Sequence, residues 1–338
     1  MVEEIDLRSA DIYSWHPRTF SLNSSSPSGL VTALFSPLLY FRAHARAWSA
    51  LLVIACMTIG LSSTAWAQDG FLSLRSAAMG DNVVGGAGGN ASLYHNPAGV
   101  AAVPMYALEI GYDTQLKSNQ HQLGISIADS QTNPNIAGGF SYDFSFKKDK
   151  SRGKGLAHMQ HDLRASAALP VVEDVLVIGL TGHYIFQNDM HATEDDRRVK
   201  NHGFTLDLGV MAKLGDKFFI GVSSQNLLQK KELMDPRNIR AGFAGIFGVF
   251  RLLGEYGVDL EGKQTRHHAG GGFEIMIESF ALRGGFRHVT ANDYERHENL
   301  LSMGAGYRGK SFGLDVAYRQ HVQRSPDRFL GASLVLFL

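Results

Sequence analysis

The sequence predicts an all-β protein, a transmembrane antiparallel β-barrel of about 14 strands. Three observations indicate this fold: segments of alternating polarity fill the chain from Pro104 to Leu338, long connections alternate with tight turns, and an export signal precedes both. A strand that alternates in this way has one apolar face for lipid and one polar face for a lumen. A soluble sheet also alternates, but it needs a second layer, and the chain has no amphipathic helices that would form one.

The segment Val249–Leu260 shows the alternation most clearly. One face carries Phe250, Leu252, Tyr256, Val258 and Leu260, and the other carries Arg251, Glu255, Gly257 and Asp259. The segment from Phe312 to Arg319 repeats this design, with apolar residues opposed by glycine, alanine, Asp315 and Arg319. Both segments are therefore interpreted as membrane-spanning strands, because successive side chains of a strand point to opposite faces.

The predicted barrel domain, residues 104–338, divides at turn signals. The predicted strands cover residues 104–115, 119–129, 136–146, 160–170, 174–187, 202–214, 217–226, 238–247, 249–260, 266–277, 279–290, 299–308, 311–321 and 328–338. Long charged connections (147–159, 188–201, 227–237 and 291–298) alternate with tight turns (215–216, 248, 278 and 309–310). Bacterial barrels have long extracellular loops, short periplasmic turns and an even number of strands. Twelve strands are the alternative, if two weak segments are loops.

A secretory signal peptide is predicted at residues 41–67. Basic residues at 42 and 46 precede an apolar stretch, Trp48–Leu61, and Ala65-Trp66-Ala67 follows as an A-x-A cleavage site. Fourteen apolar-biased residues are too few to span a bilayer comfortably. A competing interpretation is a lipoprotein cut before Cys56, because Val53–Cys56 resembles a lipobox. Export together with barrel strands predicts the outer membrane of a Gram-negative bacterium, reached through a cleaved signal peptide.

The segment before the signal peptide, residues 1–40, is an extension with two interpretations. Either the translation start is mis-assigned, or the basic region of the signal peptide is long. Cys56 is the only cysteine of the chain, so cleavage after Ala67 leaves a protein with no disulfide and no thiolate metal site or nucleophile.

Charge and motifs argue against several other functions. The 32 basic and 32 acidic residues cancel, so we expect no nucleic-acid partner. His183, His288 and His321 are scattered and give no spacing for a nucleophile and base, so no enzyme activity and no catalytic residue is predicted. His267 and His268 are neighbours on a strand and point to opposite faces, so they cannot share a metal. We predict no cofactor and no metal site.

Alternation also predicts which charged side chains line the lumen. The acids are Glu109, Asp113, Asp143, Asp162, Asp207, Glu255, Asp259, Glu274 and Asp315, and the bases are Arg164, Lys213, Arg240, Arg251, Arg283, Arg287, Arg308 and Arg319. The two sets nearly balance, which leaves two interpretations: a polar passage, or a closed lumen filled by an ion-pair network. Inward glycines, among them Gly242, Gly285 and Gly304, make room near the wall.

Residues 75–102 read RSAAMGDNVVGGAGGNASLYHNPAGVAA. This opening, its glycine-rich spacer and the Asn96-Pro97-Ala98-Gly99 motif resemble the N-terminal region of the FadL/PorV superfamily of outer-membrane barrels. The resemblance implies that residues 68–103 form a small hatch inside the lumen of a fourteen-strand barrel, with Asn96, Pro97, Ala98 and Gly99 as hatch residues. Physically, Pro97 fixes φ and Asn96 can bond its own backbone, which together give a rigid turn.

The resemblance implies two competing activities. FadL-type proteins admit long-chain fatty acids and other hydrophobic compounds, whereas PorV-type proteins act in protein secretion. The predicted lumen is more ionic than a cavity for apolar ligands should be, and the short loops offer little surface to a large partner. The expected partners are outer-membrane lipid and lipopolysaccharide, the barrel-assembly machinery, and either a hydrophobic ligand or a secretion-system protein.

Overall fold

The computed structural model describes residues 73–133, 135–148, 156–190, 198–228, 236–260, 265–290, 297–322 and 328–338. The predicted N-terminal extension, the signal peptide and the lipobox alternative all lie outside the described residues. The described chain forms one closed antiparallel β-barrel of 14 strands in sequential order, and β1 pairs with β14. The predicted fold class is confirmed, and the strand count is 14 rather than 12.

The strands follow the predicted segments closely. They are β1 (Tyr106–Gln115), β2 (Gln120–Asp129), β3 (Ala137–Lys148), β4 (Leu156–Val172), β5 (Leu176–Met190), β6 (Arg198–Leu214), β7 (Phe218–Gln225), β8 (Asn238–Phe247), β9 (Phe250–Asp259), β10 (Arg266–Ile277), β11 (Phe280–Val289), β12 (Glu298–Arg308), β13 (Phe312–His321) and β14 (Phe329–Phe337). Between residue 73 and β1, the chain forms two short helices (Leu74–Ala78 and Ser92–His95) and two 3₁₀ helices (Gly89–Ala91 and Pro97–Ala101).

The predicted boundaries are wrong at one place, the facing ends of β3 to β6. There the ladder continues into the predicted connections 147–159 and 188–201, and β4 and β6 reach 17 residues each. Gln160 and Gln187 lie on the inner face, and the Gln187 amide donates to Gln160 Oε1 at 2.9 Å. Strand pairing continues here although the alternation of apolar residues has ended, because the hydrogen bonds between strands join backbone groups and do not depend on side-chain polarity.

The two rims of the barrel differ. The connections from each odd strand to the next even strand form the long-connection rim, and the connections from even to odd strands form the short-turn rim. Asp174, Gly215, Gly248 and Glu278 have φ of 57°, 64°, 60° and 53°, respectively. This left-handed backbone closes the tight turns of the short-turn rim.

Side chains alternate between the outer and inner face along every strand. In β13, Phe312, Leu314 and Val316 are exposed outward, whereas Asp315 and Arg319 are buried inside. The same outward apolar surface recurs around the barrel, with Ile125, Phe204, Phe243 and Phe286 each more than 40% exposed. This surface suits lipid rather than water.

Within the described ranges, no helix is long and apolar enough to cross a membrane.

Candidate functional site

The residues 73–103, called the hatch from here on, lie inside the barrel. Hatch side chains contact strands on opposite sides of the wall: Arg75 pairs with Glu274 on β10, Tyr94 donates to Asp143 on β3, and Asn96 donates to the Val210 carbonyl on β6. Nearly all hatch side chains from Ser73 to Val100 are buried. The hatch therefore fills the cross-section of the lumen over the part of the barrel that it occupies.

The Asn96-Pro97 corner is positioned by three hydrogen bonds of the Asn96 side chain. Asn96 Oδ1 accepts a hydrogen bond from the Ala98 amide at 3.1 Å, and this bond caps the 3₁₀ helix that begins at Pro97. Asn96 Nδ2 donates to the carbonyls of Val84 at 2.9 Å and Val210 at 3.1 Å. One amide side chain thus joins two parts of the hatch to the wall. All four motif residues, Asn96 to Gly99, are buried in the hatch.

Glycines on the inner face let the hatch backbone lie directly against the wall. A Cβ on Gly285 would overlap the Met79 backbone, and a Cβ on Gly221 would overlap the Val84 carbonyl oxygen. Eight more inward glycines lie against the hatch: Gly179, Gly242 and Gly272 against its backbone, and the other five against its side chains. We call the whole set the glycine seat: Gly139, Gly179, Gly209, Gly221, Gly242, Gly270, Gly272, Gly285, Gly304 and Gly331. Only glycine permits this close approach, because any other residue adds a Cβ.

One ion-pair network, the Arg283 cluster, joins the start of the hatch to β9–β13. Glu274 accepts from Arg75 Nη2 at 2.7 Å and from Arg283 Nε at 2.8 Å, and Arg251 Nη1 lies 3.7 Å from the same carboxylate. Arg283 Nη1 also donates to Asp315 Oδ1 at 2.6 Å. The cluster consists of Arg75, Arg251, Glu274, Arg283, Arg308 and Asp315. Each carboxylate faces more than one guanidinium, which makes its burial tolerable.

A second network, the Arg164 cluster, lies across the lumen on β3–β6. Arg164 Nη2 contacts Asp162 Oδ2 at 2.6 Å, and Arg164 Nη1 lies 3.7 Å from Asp207 Oδ2. His183 lies between the same two carboxylates, with Nδ1 3.1 Å from Asp162 and Nε2 3.4 Å from Asp207. The cluster consists of Asp162, Arg164, His183 and Asp207, together with Asp143, which lies opposite Asp162 in the register of β3 and β4.

Tyr94 connects the hatch to the Arg164 cluster. Its hydroxyl donates to Asp143 Oδ1 at 3.1 Å, and the Arg164 guanidinium lies 5.5 Å from the centre of its ring. Burial of the phenol and the nearby Asp143 carboxylate raise the pKa of Tyr94 well above its usual value. The phenol therefore keeps its proton and acts as a hydrogen-bond donor.

The nine lumen residues singled out from the sequence all face the interior. Asp207, Arg251, Arg283 and Asp315 belong to the two clusters, and Glu109 accepts from hatch Ser73 at 3.4 Å. Glu255 Oε2 accepts from the Val84 amide at 2.9 Å, and Arg319 Nη1 donates to hatch Asp81 at 2.7 Å. Asp259 lies 2.7 Å from His268 Nε2, and His268 Nδ1 lies 3.4 Å from Arg287 Nη2.

Sequence reasoning missed the hatch charges that complete these networks. Arg75 and Asp81 stand six positions apart in the segment RSAAMGD, and they pair with Glu274 and Arg319 on different strands. A lone arginine and a lone aspartate in a glycine- and alanine-rich segment could have indicated these pairs. Charges that are buried inside a barrel need partners of opposite charge. Among the described side chains, no group of three or more His, Cys, Asp or Glu could hold a metal ion.

No protein-family model matches this chain, and no curated protein sequence matches it. Among solved structures, the chain is similar to the monoaromatic hydrocarbon channel TodX in its deltaS2S3 mutant form. The identity is 12%, the match covers 79% of this chain and 98% of that chain, and the TM-score is 0.58. It also matches Omp33 of Acinetobacter baumannii at 11% identity, over 69% of this chain and 99% of that chain, with a TM-score of 0.43. The likeness to the first of these shows that this chain has the fold of an outer-membrane β-barrel.

Proposed function

We propose that the protein is an outer-membrane channel of FadL type that binds or passes hydrophobic small molecules, such as long-chain fatty acids or monoaromatic hydrocarbons. The observation that carries this proposal is the hatch, which is held inside the barrel between the Arg283 and Arg164 clusters. The barrel also shares its fold with a monoaromatic hydrocarbon channel. A hatch inside a barrel is a gate, because passage requires it to move or to be bypassed.

The interface between hatch and wall supplies an apolar contact zone next to the ionic clusters. Its hatch side consists of Leu74, Ala77, Ala78, Leu93, Tyr94 and Val100, and its wall side of Ala137, Ala168, Ala317 and Phe329. The wall presents mainly alanine, so the larger hatch side chains fill the space. A hydrophobic ligand would bind there by replacing these contacts, since burial of its apolar surface gains about 25 cal/mol per Å².

The ionic clusters would hold the gate shut without a ligand. The two hydrogen bonds from Arg75 to Glu274, at 3.0 and 2.7 Å, form a bidentate pair whose side chains are 10% and 5% exposed. Separating such a pair leaves buried charges without partners, which is costly. We therefore infer that the ligand leaves the Arg75 side of the hatch in place and moves the Tyr94–Val100 side, whose contacts from Tyr94 and Asn96 to the wall are hydrogen bonds.

The proposal includes the route to the membrane. A signal peptide cut after Ala67 would leave the hatch near the start of the mature chain, and the barrel-assembly machinery would insert the strands into the outer membrane of a Gram-negative bacterium. Lipid and lipopolysaccharide would then cover the outward apolar surface.

Native mass spectrometry of the protein, gently extracted from outer membranes, tests the proposal. A retained fatty acid or other apolar molecule, without a protein partner, is the expected result. An empty barrel in a stable complex with another protein would contradict it and favour the PorV-type role in secretion or surface attachment. The buried hatch supports that alternative too, because a protein that attaches a partner at the cell surface needs no open lumen.

A further inference from the structure

In the described part of the barrel, four tyrosine–histidine pairs lie on the outer face. In each pair the tyrosine hydroxyl lies within hydrogen-bond distance of histidine Nδ1 on the next strand. The pairs are Tyr112–His121 at 2.7 Å, Tyr142–His161 at 2.7 Å, Tyr184–His202 at 2.9 Å and Tyr256–His267 at 2.7 Å. Each pair joins two strands that meet at the long-connection rim.

The four pairs share one geometry. The histidine lies opposite the residue two positions after the tyrosine, and these residues are Thr114, Phe144, Phe186 and Val258. A diagonal neighbour at this offset is within reach of an aromatic side chain. The same contact thus recurs in four hairpins of different sequence, because the offset between tyrosine and histidine is the same in each.

Three of the pairs are joined by further rings into one continuous surface on β1–β6. The ring centres of His121 and Phe146 are 5.0 Å apart, those of His161 and Phe144 are 4.8 Å apart, and Phe186 lies directly opposite His202. We call this surface the aromatic band: Tyr112, His121, Tyr142, Phe144, Phe146, His161, Tyr184, Phe186 and His202.

The opposite rim has a different composition. At the short-turn rim, Phe218 packs on Phe247 and Phe280 packs on Tyr307, with ring centres 5.6 and 5.5 Å apart. Over the described part of that rim there is no histidine. Imidazole is costly to place in hydrocarbon, so the band marks the depth of the lipid headgroups. Because the long connections of bacterial barrels lie on the extracellular side, the headgroups at that depth are those of the outer leaflet.

The hydrogen bond to tyrosine determines which nitrogen of each histidine is a hydrogen-bond donor. When the phenol donates to Nδ1, the neutral ring carries its proton on Nε2, and a protonated ring also has a donor there. In that tautomer, Nε2–H is the hydrogen-bond donor of the ring. A phosphate group can accept this hydrogen bond, and its negative charge strengthens the bond.

We propose that the aromatic band binds a phosphorylated disaccharide lipid of the lipid A class in the outer leaflet. His161 on β4 and His202 on β6 both lie opposite Phe186 in the ladder, so they are separated by two strand spacings, about 10 Å. His121 lies on β2, in a row that meets β4 at Met159, two residues from His161. A disaccharide with a phosphate at each end spans such a distance, whereas the headgroup of phosphatidylglycerol carries a single phosphate. The proposal rests on the outer-membrane location proposed above.

The experiment measures lipid binding to the full-length protein in detergent by native mass spectrometry. The probes are diphosphorylated lipid A, the same lipid without phosphates, and phosphatidylglycerol. The test variant is H121F/H161F/H202F, which keeps three rings for stacking and deletes each Nε2–H. The control is H267F, which removes the same group from the pair on β9–β10, outside the band.

We expect the wild type and H267F to bind diphosphorylated lipid A at least about tenfold more tightly than either other probe. The reason is that the two phosphates of this lipid accept two or more hydrogen bonds that the other probes do not. The triple variant should lose this preference. If it does not fold, His161→Gln in the centre of the band should reduce the preference, while H267F does not. Equal binding of the phosphate-free lipid or of phosphatidylglycerol, or an unchanged preference in the folded test variants, overturns the proposal. Retention of an apolar ligand in the same spectra reports separately on the proposed channel function.

Discussion

Arg283 Nη1 donates to Asp315 Oδ1 at 2.6 Å, although the two residues lie on β11 and β13 with β12 between them. The pair crosses β12 at Gly306, where a Cβ would lie 2.5 Å from Asp315 Oδ1 and 2.6 Å from Arg283 Nη1. The side chains of Arg283 and Asp315 are 0% and 1% exposed. A glycine on the middle strand therefore lets an ion pair bridge three strands in the barrel interior.

Replacement of Arg283 should destabilise the barrel strongly. Arg283→Met leaves Glu274 and Asp315 with one guanidinium fewer in a buried site, and we expect a loss of about 3–5 kcal/mol in the free energy of unfolding. Urea titration of the protein in lipid vesicles measures this loss. Lys310→Met, at an exposed residue of the short-turn rim, is the control and should change the value by less than about 0.5 kcal/mol. Equal effects of the two variants would contradict a structural role for the pair.

A methyl group in the glycine seat should dislodge the hatch. In Gly285→Ala the new Cβ overlaps the Met79 backbone, which cannot rotate away as a side chain could. We expect more open events in planar-bilayer recordings and a stability loss of about 1–3 kcal/mol. Gly138→Ala is the matched control, because its Cβ would meet only the Ser166 carbonyl oxygen, at 3.6 Å. Identical recordings for the wild type and Gly285→Ala would show that the hatch is not held by this contact.

Glu255 should hold the middle of the hatch through one backbone bond. Glu255→Leu deprives the Val84 amide of its acceptor and leaves Arg240, 3.8 Å from the carboxylate, without this partner. We expect a lower melting temperature or an altered conductance, since an unsatisfied buried donor costs about 1–3 kcal/mol. Glu255→Gln keeps an acceptor oxygen and should be milder. A melting temperature and a conductance both equal to the wild-type values in Glu255→Leu would rule out this role.

Filling the apolar contact zone should reduce retention of a hydrophobic ligand. Ala168 on β4 faces the hatch and is 0% exposed, so Ala168→Leu places three more carbons where we propose the ligand binds. Ala167→Leu adds the same carbons to the outer face of the same strand, which is exposed. In native mass spectra we expect the first variant to lose the ligand and the second to keep it. Equal retention by both would place the ligand elsewhere.

Much of the barrel could be predicted from the sequence because its signal is local. In β9 the period of two alone assigns Phe250 and Leu252 outward and Glu255 inward, and the structure has them so. The ends of β4 and β6 at the long-connection rim could not be predicted, because polar residues occur on both faces there and the alternation of apolar and polar residues disappears. These ends are strands because they pair with neighbouring strands, and the sequence of one segment does not contain that information.

The sequence by itself determined the alternating segments, the two faces of each strand and the presence of a glycine-rich segment before β1, since all of these depend on residues close together in the chain. The structure decided between twelve and fourteen strands. Only the tertiary structure decided which residues meet. Arg75 and Glu274 are 199 positions apart, and Tyr142 reaches His161 only because of the register between β3 and β4. Register and closure of the barrel are properties of the whole hydrogen-bonded ladder, and a shift of one residue would turn every inward charge toward lipid.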